Sequence, residues 1–206
     1  MIPKVVLVRH GHTSLNGSDN GQSPDRIRGW KDVPLNEVGK KDAEKAAKEL
    51  QKKYSIEYMY SSDLSRAFDT AKICNKDGVP VVMTKDLRPW NLGIYQGQET
   101  KKILDELIDH VKNEKKKVKD GESFKEFRER FLSCLNGIID QAIDERIQIA
   151  VFTHYRDLKC ADAWIAAGFP VDLSIDVDVM LKDDFEPGEL FEIPVDSFIS
   201  EENEEE

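Results

Sequence analysis

Cysteine is scarce in this sequence and unpaired: Cys74, Cys134 and Cys160 lie far apart, and no C-x-x-C pair occurs. That spacing excludes a disulfide framework and zinc-ribbon ligation, and predicts reduced, mostly buried thiols in a cytoplasmic protein. No apolar run reaches the length of a membrane span, and no charged leader precedes a short apolar segment, so neither a transmembrane helix nor a signal peptide is expected. Histidine is limited to four residues, two of them in His10-Gly11-His12. A basic tract with interleaved aromatics is missing as well. The lysines between 112 and 119 lie among acidic residues and read as a solvated face, and a net charge of −10 opposes binding to nucleic acid. No repeat of 20 to 50 residues is visible.

What is present is alternation. Short apolar runs rich in Val and Ile alternate with amphipathic stretches such as Lys40–Lys53, in which charged residues interleave with Ala43, Ala46, Ala47 and Leu50. At 206 residues and 39% hydrophobic, the chain can bury a substantial core. The pattern predicts strands at 4–9, 56–60, 79–83, 147–153 and 174–181, with a last short strand near 190–193. Helices are predicted at 36–53, 64–76, within 98–117 and 122–144, and at 155–167. The fold class expected is α/β, a three-layer α/β/α sandwich around a mostly parallel central sheet. One domain is expected over residues 1–198, followed by a disordered acidic tail at 199–206.

The chemistry collects at strand ends. Val5-Val6-Leu7-Val8 delivers Arg9, His10 and Gly11 to the end of the first strand, where open α/β sheets bind ligands. Ile147–Thr153 delivers His154 in the same way. Ser61–Ala71 opens a helix, with Asp63 placed to cap it or to favour its positive end, and Arg66 one turn in. If the two strands are neighbours, two histidines and two arginines surround one dianion. Arginine offers a planar fork matched to phosphate oxygens, and histidine is a nucleophile or proton carrier near neutral pH. An attacking His10 must be neutral, with its second ring nitrogen held by an acceptor; the Gly11 carbonyl is the first candidate. Arg9, Arg66 and a protonated His154 would then stabilise the charge of a phosphoryl group in transfer.

The segments RHGHTSLN (9–16), RIRGWKDVPLNEVG (26–39), SSDLSRAFDTA (61–71), GESFKEF (121–127) and THY (153–155) occur in this order. Together they resemble the histidine phosphatase superfamily, in its phosphoglycerate mutase-like branch. The resemblance implies a phosphatase acting on a small phosphorylated compound through a phosphohistidine, with no metal or cofactor. His10 would be the nucleophile, and Arg9, Asn16, Arg66 and His154 the phosphate contacts. The alternative fate of the phosphohistidine is mutase-type transfer to another hydroxyl.

Two positions depart from the family. Where many members carry a glutamate that protonates the leaving oxygen, this chain has Pro89. The donor must then be Asp86, Glu99 or Asp157, or the leaving group must depart unassisted. General acid catalysis is worth about 10²–10⁴-fold, and low-pKa leaving groups need it least, so phosphoanhydrides, aryl esters and phosphohistidine fit better than sugar phosphates. Tyr155 stands where the family usually has glycine, either narrowing the pocket mouth or packing between strand and helix. A Gly-, Ser-, Asn- and Pro-containing loop at 17–25 leaves the site directly after Asn16, as a lid or an ordinary solvated loop. Two rival classes are weighed. Metal hydrolysis using His10 and His12 is opposed by the cationic neighbours Arg9 and Arg66, with His12 read as a surface residue near the pocket rim. A degenerate phospho-ligand binder is opposed by retention of a nucleophilic histidine, which simple binding does not need.

Overall fold

A computed structural model describes residues 1–17, 23–182 and 184–198. Most of the loop expected at 17–25, and all of the acidic tail expected at 199–206, lie outside the described residues.

Val5, Val6, Leu7 and Val8 are fully buried, as a strand covered on both faces requires. They form the middle of β1 (Lys4–Arg9). With β2 (Tyr58–Ser62), β3 (Val81–Thr84), β4 (Gln148–Thr153) and β5 (Leu190–Ile193) they build one sheet in the order β3-β2-β4-β1-β5. All neighbours are parallel except β5, which runs antiparallel to β1.

Strand alternation assigns the two faces. Val5, Leu7, Ile149 and Val151 pack with Phe127 and Phe131 of α4 (Phe124–Glu145) and with Leu158 of α5 (Tyr155–Ala166). Val6, Val8, Ala150 and Phe152 pack with Ala46 and Leu50 of α1 (Glu37–Lys53) and Ala71 of α2 (Ser65–Cys74). The result is the three-layer α/β arrangement expected. Two of the helix starts follow ordinary capping: Asn36 Oδ1 accepts from Gly39 N–H at 2.8 Å, and Ser123 and Glu126 form a reciprocal capping box on α4. A short 3₁₀ turn, Thr100–Ile103, leads into α3 (Leu104–Lys112). The three cysteines are free, Cys74 and Cys160 buried and Cys134 partly so. No helix among the described residues is long and apolar enough to cross a membrane.

Two local expectations are corrected. The strand expected at 174–181 is instead α6 (Val177–Lys182). Ile175, Val177 and Val179 alternate with acidic residues at a period of two, but Asp176 Oδ1 accepts from the N–H groups of Asp178 (2.9 Å) and Val179 (3.1 Å), and this cap starts a helix that buries Met180. Nor does Asp63 cap α2, whose N-terminus has no side-chain cap; its carboxylate takes a two-pronged ion pair from Arg88 at 2.6 Å on each arm.

Glycine is required where α1 meets the end of β1. A Cβ on Gly11 would stand 2.2 Å from the Gly39 carbonyl oxygen, and one on Gly39 only 2.0 Å from that of His12. Gly39→Ala is therefore expected to cost about 1–3 kcal/mol, the range for forced overpacking. Urea denaturation checks this; an unchanged midpoint would mean that the two turns can separate freely.

Candidate active site

β1 and β4 are adjacent and parallel, with Arg9 paired to Thr153, so the residues that follow them emerge side by side. His10 N–H donates to the Thr153 carbonyl at 3.0 Å. The rings of His10 and His154 sit edge to face, 5.1 Å between centroids, and each residue is 2% exposed.

Their hydrogen-bond partners give them opposite tautomers. His10 Nδ1 lies 2.7 Å from the Gly11 carbonyl, which only accepts, so Nδ1 carries the proton and Nε2 keeps its lone pair. Arg66 Nε donates to His154 Nδ1 at 3.2 Å, which places the proton of that ring on Nε2. His154 Nε2 is buried and has no partner among the described residues. The site thus presents one nucleophilic nitrogen and one free N–H donor. Burial, reinforced by Arg66, holds both imidazoles well below the usual histidine range. With Arg66 Nε–H directed at its Nδ1, the His154 ring presents Nε2–H to the cleft.

Arg66 is 1% exposed and fixed by three bonds, through Nε to His154, Nη1 to the Lys31 carbonyl (3.0 Å) and Nη2 to the Gly29 carbonyl (2.8 Å). A guanidinium has five N–H donors, so two remain for a phosphoryl oxygen. Burial pulls its pKa down to about 9, which leaves it charged at neutral pH.

The other expected residues are placed differently. Arg9 does not line the cleft: Nη1 donates to the Phe185 carbonyl, its guanidinium lies 4.8 Å from the Tyr155 ring centroid, and Nε has no partner among the described residues. Tyr155 lines the cleft and carries Arg9 on its face, combining both roles considered for it. Asn16 is turned inward: its Oδ1 accepts from Thr13 N–H (2.8 Å) and Thr13 Oγ1–H (3.0 Å), a local closure natural to asparagine, and the residue does not line the cleft. His12 lies away from the cleft wall as well, its Nδ1 2.7 Å from Asp42 Oδ2, which corrects its expected place at the pocket rim.

The cleft measures about 80 Å³. Besides His10, Arg66 and His154, it is lined by Arg26, Arg28 and Arg156, three cations that sequence reasoning did not single out. One signal for Arg156 was available. It sits in the first turn of α5, where the helix dipole disfavours a cation unless an anion comes to meet it.

None of the three carboxylates named as proton donors lines the cleft. Asp86 is exposed beside Thr84. Glu99 pairs with Lys102 (3.0 Å) and Arg26 (3.6 Å). Asp157 is fully buried, and burial pushes its carboxyl up to about 8. The acid that does line the cleft is Asp25, which accepts from Arg28 (3.2 Å) and from the Thr100 hydroxyl. Pro89 forms part of the wall, on a segment whose carbonyls are all engaged. Arg130 donates to those of Lys85, Asp86, Arg88 and Pro89, Thr153 Oγ1 to that of Leu87, and Trp30 Nε1 to that of Pro89 at 2.7 Å.

A family model described as the histidine phosphatase superfamily (branch 1) matches residues 5–178. The chain is 37% identical over 161 residues to phosphoglycerate mutase-like protein 4 of Arabidopsis thaliana, covering 73% of this chain and 66% of that protein. It is 32% identical over 161 residues to a metal-independent phosphoserine phosphatase of the same plant, covering 74% of this chain and 64% of that one. The chain thus spans just under two thirds of the length of these relatives. Among solved structures, a mycobacterial glucosyl-3-phosphoglycerate phosphatase complexed with VO3 superposes with a TM-score of 0.72 at 23% identity, over 92% of each chain.

Two outcomes follow from this geometry. Arg66→Lys keeps the charge but loses the fixed fork, so vanadate should bind about tenfold or more weakly; unchanged inhibition would place Arg66 outside the anion site. Asp157, raised from 3.8 to about 8 in the fold, contributes stability that is complete below pH 3.8 and lost as pH rises through about 8. Relative to Asp157→Asn, the wild-type protein should therefore lose stability steadily between pH 4 and 8. Urea midpoints across that range measure it, and parallel curves would contradict the shift.

Proposed function

The chain belongs to the histidine phosphatase superfamily, branch 1, and from that premise we propose that it is a metal-independent phosphatase of a small phosphorylated compound, working through a phosphohistidine. The observation that carries this reading is the pair of opposed tautomers: a lone pair on His10 Nε2 beside an unpartnered N–H on His154 Nε2, in a cleft lined with arginines.

His10 Nε2 attacks phosphorus while Nδ1 keeps its proton, donated to the Gly11 carbonyl. Arg66 and the His154 N–H hold the equatorial oxygens, and their fixed positions need no rearrangement as charge shifts. A phosphoryl dianion entering beside His154 raises the affinity of that ring for a second proton. Arg9, held on Tyr155 at the rear of the site, adds to the positive field over His10. The cleft volume of about 80 Å³ is well below the 300–1,000 Å³ of sites for drug-sized ligands, which favours a phosphoryl group attacked by water over a second bulky acceptor. The cations beside both histidines disfavour a divalent ion there. Three free thiols, two of them buried, support a reducing, cytoplasmic setting.

The test uses p-nitrophenyl phosphate. His10→Ala should lose turnover by at least about 10³-fold, together with the acid-labile phosphate label, and His154→Ala by about 10²–10³-fold. Vanadate should inhibit and EDTA should not. Substantial turnover by a folded His10→Ala protein, or abolition by EDTA, would overturn the reading.

A further inference from the structure

Arg28 and Arg156 are not needed to hold the phosphoryl group, which Arg66 and His154 already meet, yet both line the same small cleft. Arg28 is offset by Asp25 at 3.2 Å. Arg156 makes no ion pair among the described residues and lies over the face of Trp90, 6.0 Å from its ring centroid. It occupies the first turn of α5, adjacent to His154, so the helix terminus and the guanidinium present positive charge together. Burial lowers its pKa, a cost to the free protein that an anionic ligand would relieve. The cleft therefore has capacity for negative charge beyond one phosphoryl group. Among the described residues it also lacks the means to protonate a leaving oxygen: Pro89 is in the wall, and Asp25, the described acid that lines it, is engaged by Arg28 and Thr100.

These observations have one chemical solution in common. We propose that the substrate is a small phosphoanhydride, and that Arg28 and Arg156 bind the departing phosphate as an anion, doing by charge what a proton donor does elsewhere. The inference rests on the phosphohistidine reading and adds the substrate class to it. In the first step the His10 Nε2–P bond forms and the bridging P–O bond breaks, its electron pair remaining on the leaving phosphate oxygen. The departing end of pyrophosphate already carries the proton of the trianion, so it leaves as hydrogen phosphate and takes no further proton at pH 7. In the second step water attacks phosphorus, the N–P bond breaks with its pair returning to Nε2, and dihydrogen phosphate leaves carrying both protons of the water.

The experiment compares inorganic pyrophosphate with p-nitrophenyl phosphate. Both leaving groups depart as stable anions, but only pyrophosphate brings a second phosphate. The wild-type protein should show at least tenfold higher kcat/KM for pyrophosphate. Arg28→Ala and Arg156→Ala should each lower that value at least tenfold more than the value for p-nitrophenyl phosphate. Methylenediphosphonate, which is not hydrolysed, should compete against p-nitrophenyl phosphate at least tenfold more tightly than methylphosphonate; this measurement needs no variant and stands even if an arginine variant fails to fold. Equal losses on the two substrates, no preference for pyrophosphate, or equal inhibition by the two phosphonates would overturn the proposal. In those cases, His10-dependent, vanadate-sensitive turnover of p-nitrophenyl phosphate would show that the phosphatase reading itself still holds. Absence of that turnover would sink both.

Discussion

The in-register parallel pairing of β1 with β4 is the constraint on which the site depends. Because Arg9 is level with Thr153, the next residue on each strand is a histidine, and the His10 N–H continues the ladder by one bond to the Thr153 carbonyl. A shift of one residue would turn one imidazole to the opposite face of the sheet, into the layer formed by α4 and α5. Buried apolar side chains on both faces fix that register, so hydrophobic packing sets the separation of the two imidazoles without touching either.

Once the rings are placed, protons are distributed by what each Nδ1 meets. A carbonyl faces one and a guanidinium the other. Arg66 therefore does two things at once, assigning the tautomer of His154 and tying the Gly29–Lys31 turn to the strand ends. That turn follows directly on Arg28, so the wall carrying the additional positive charge is anchored through Arg66, which also faces His154. Concentrating so much charge is unfavourable in the free protein, and the neutrality of both histidines is how the fold limits it.

Much of this was legible in the sequence. The buried strands, the layer order and the strand-end placement of His10, Arg66 and His154 all follow from apolar runs meeting glycine or polar turns, a signal carried by many residues at once. Single side chains that choose between local partners were not. Asp63 found Arg88, Asn16 found Thr13, and Asp176 capped a helix where alternation suggested a strand. In each case a short polar group had several acceptors or donors within reach, and tertiary context selected one. Arg28 and Arg156 were hidden for another reason: their importance lies in shared proximity to one cleft, which the intervening sequence separation conceals.

The segment around Pro89 shows how a fold can leave one of its positions unencumbered. All five carbonyls from Lys85 to Pro89 are bonded by donors from elsewhere, from the side chains of Arg130, Thr153 and Trp30. The path of the chain there is written chiefly in backbone bonds to distant residues, none of them made by the side chain at position 89, whose ring adds only its fixed φ. Chemistry at that spot is consequently separable from stability. A lineage can discard or regain a proton donor there while the architecture stays silent about the change, and the repertoire of leaving groups can drift without the protein having to refold its active site.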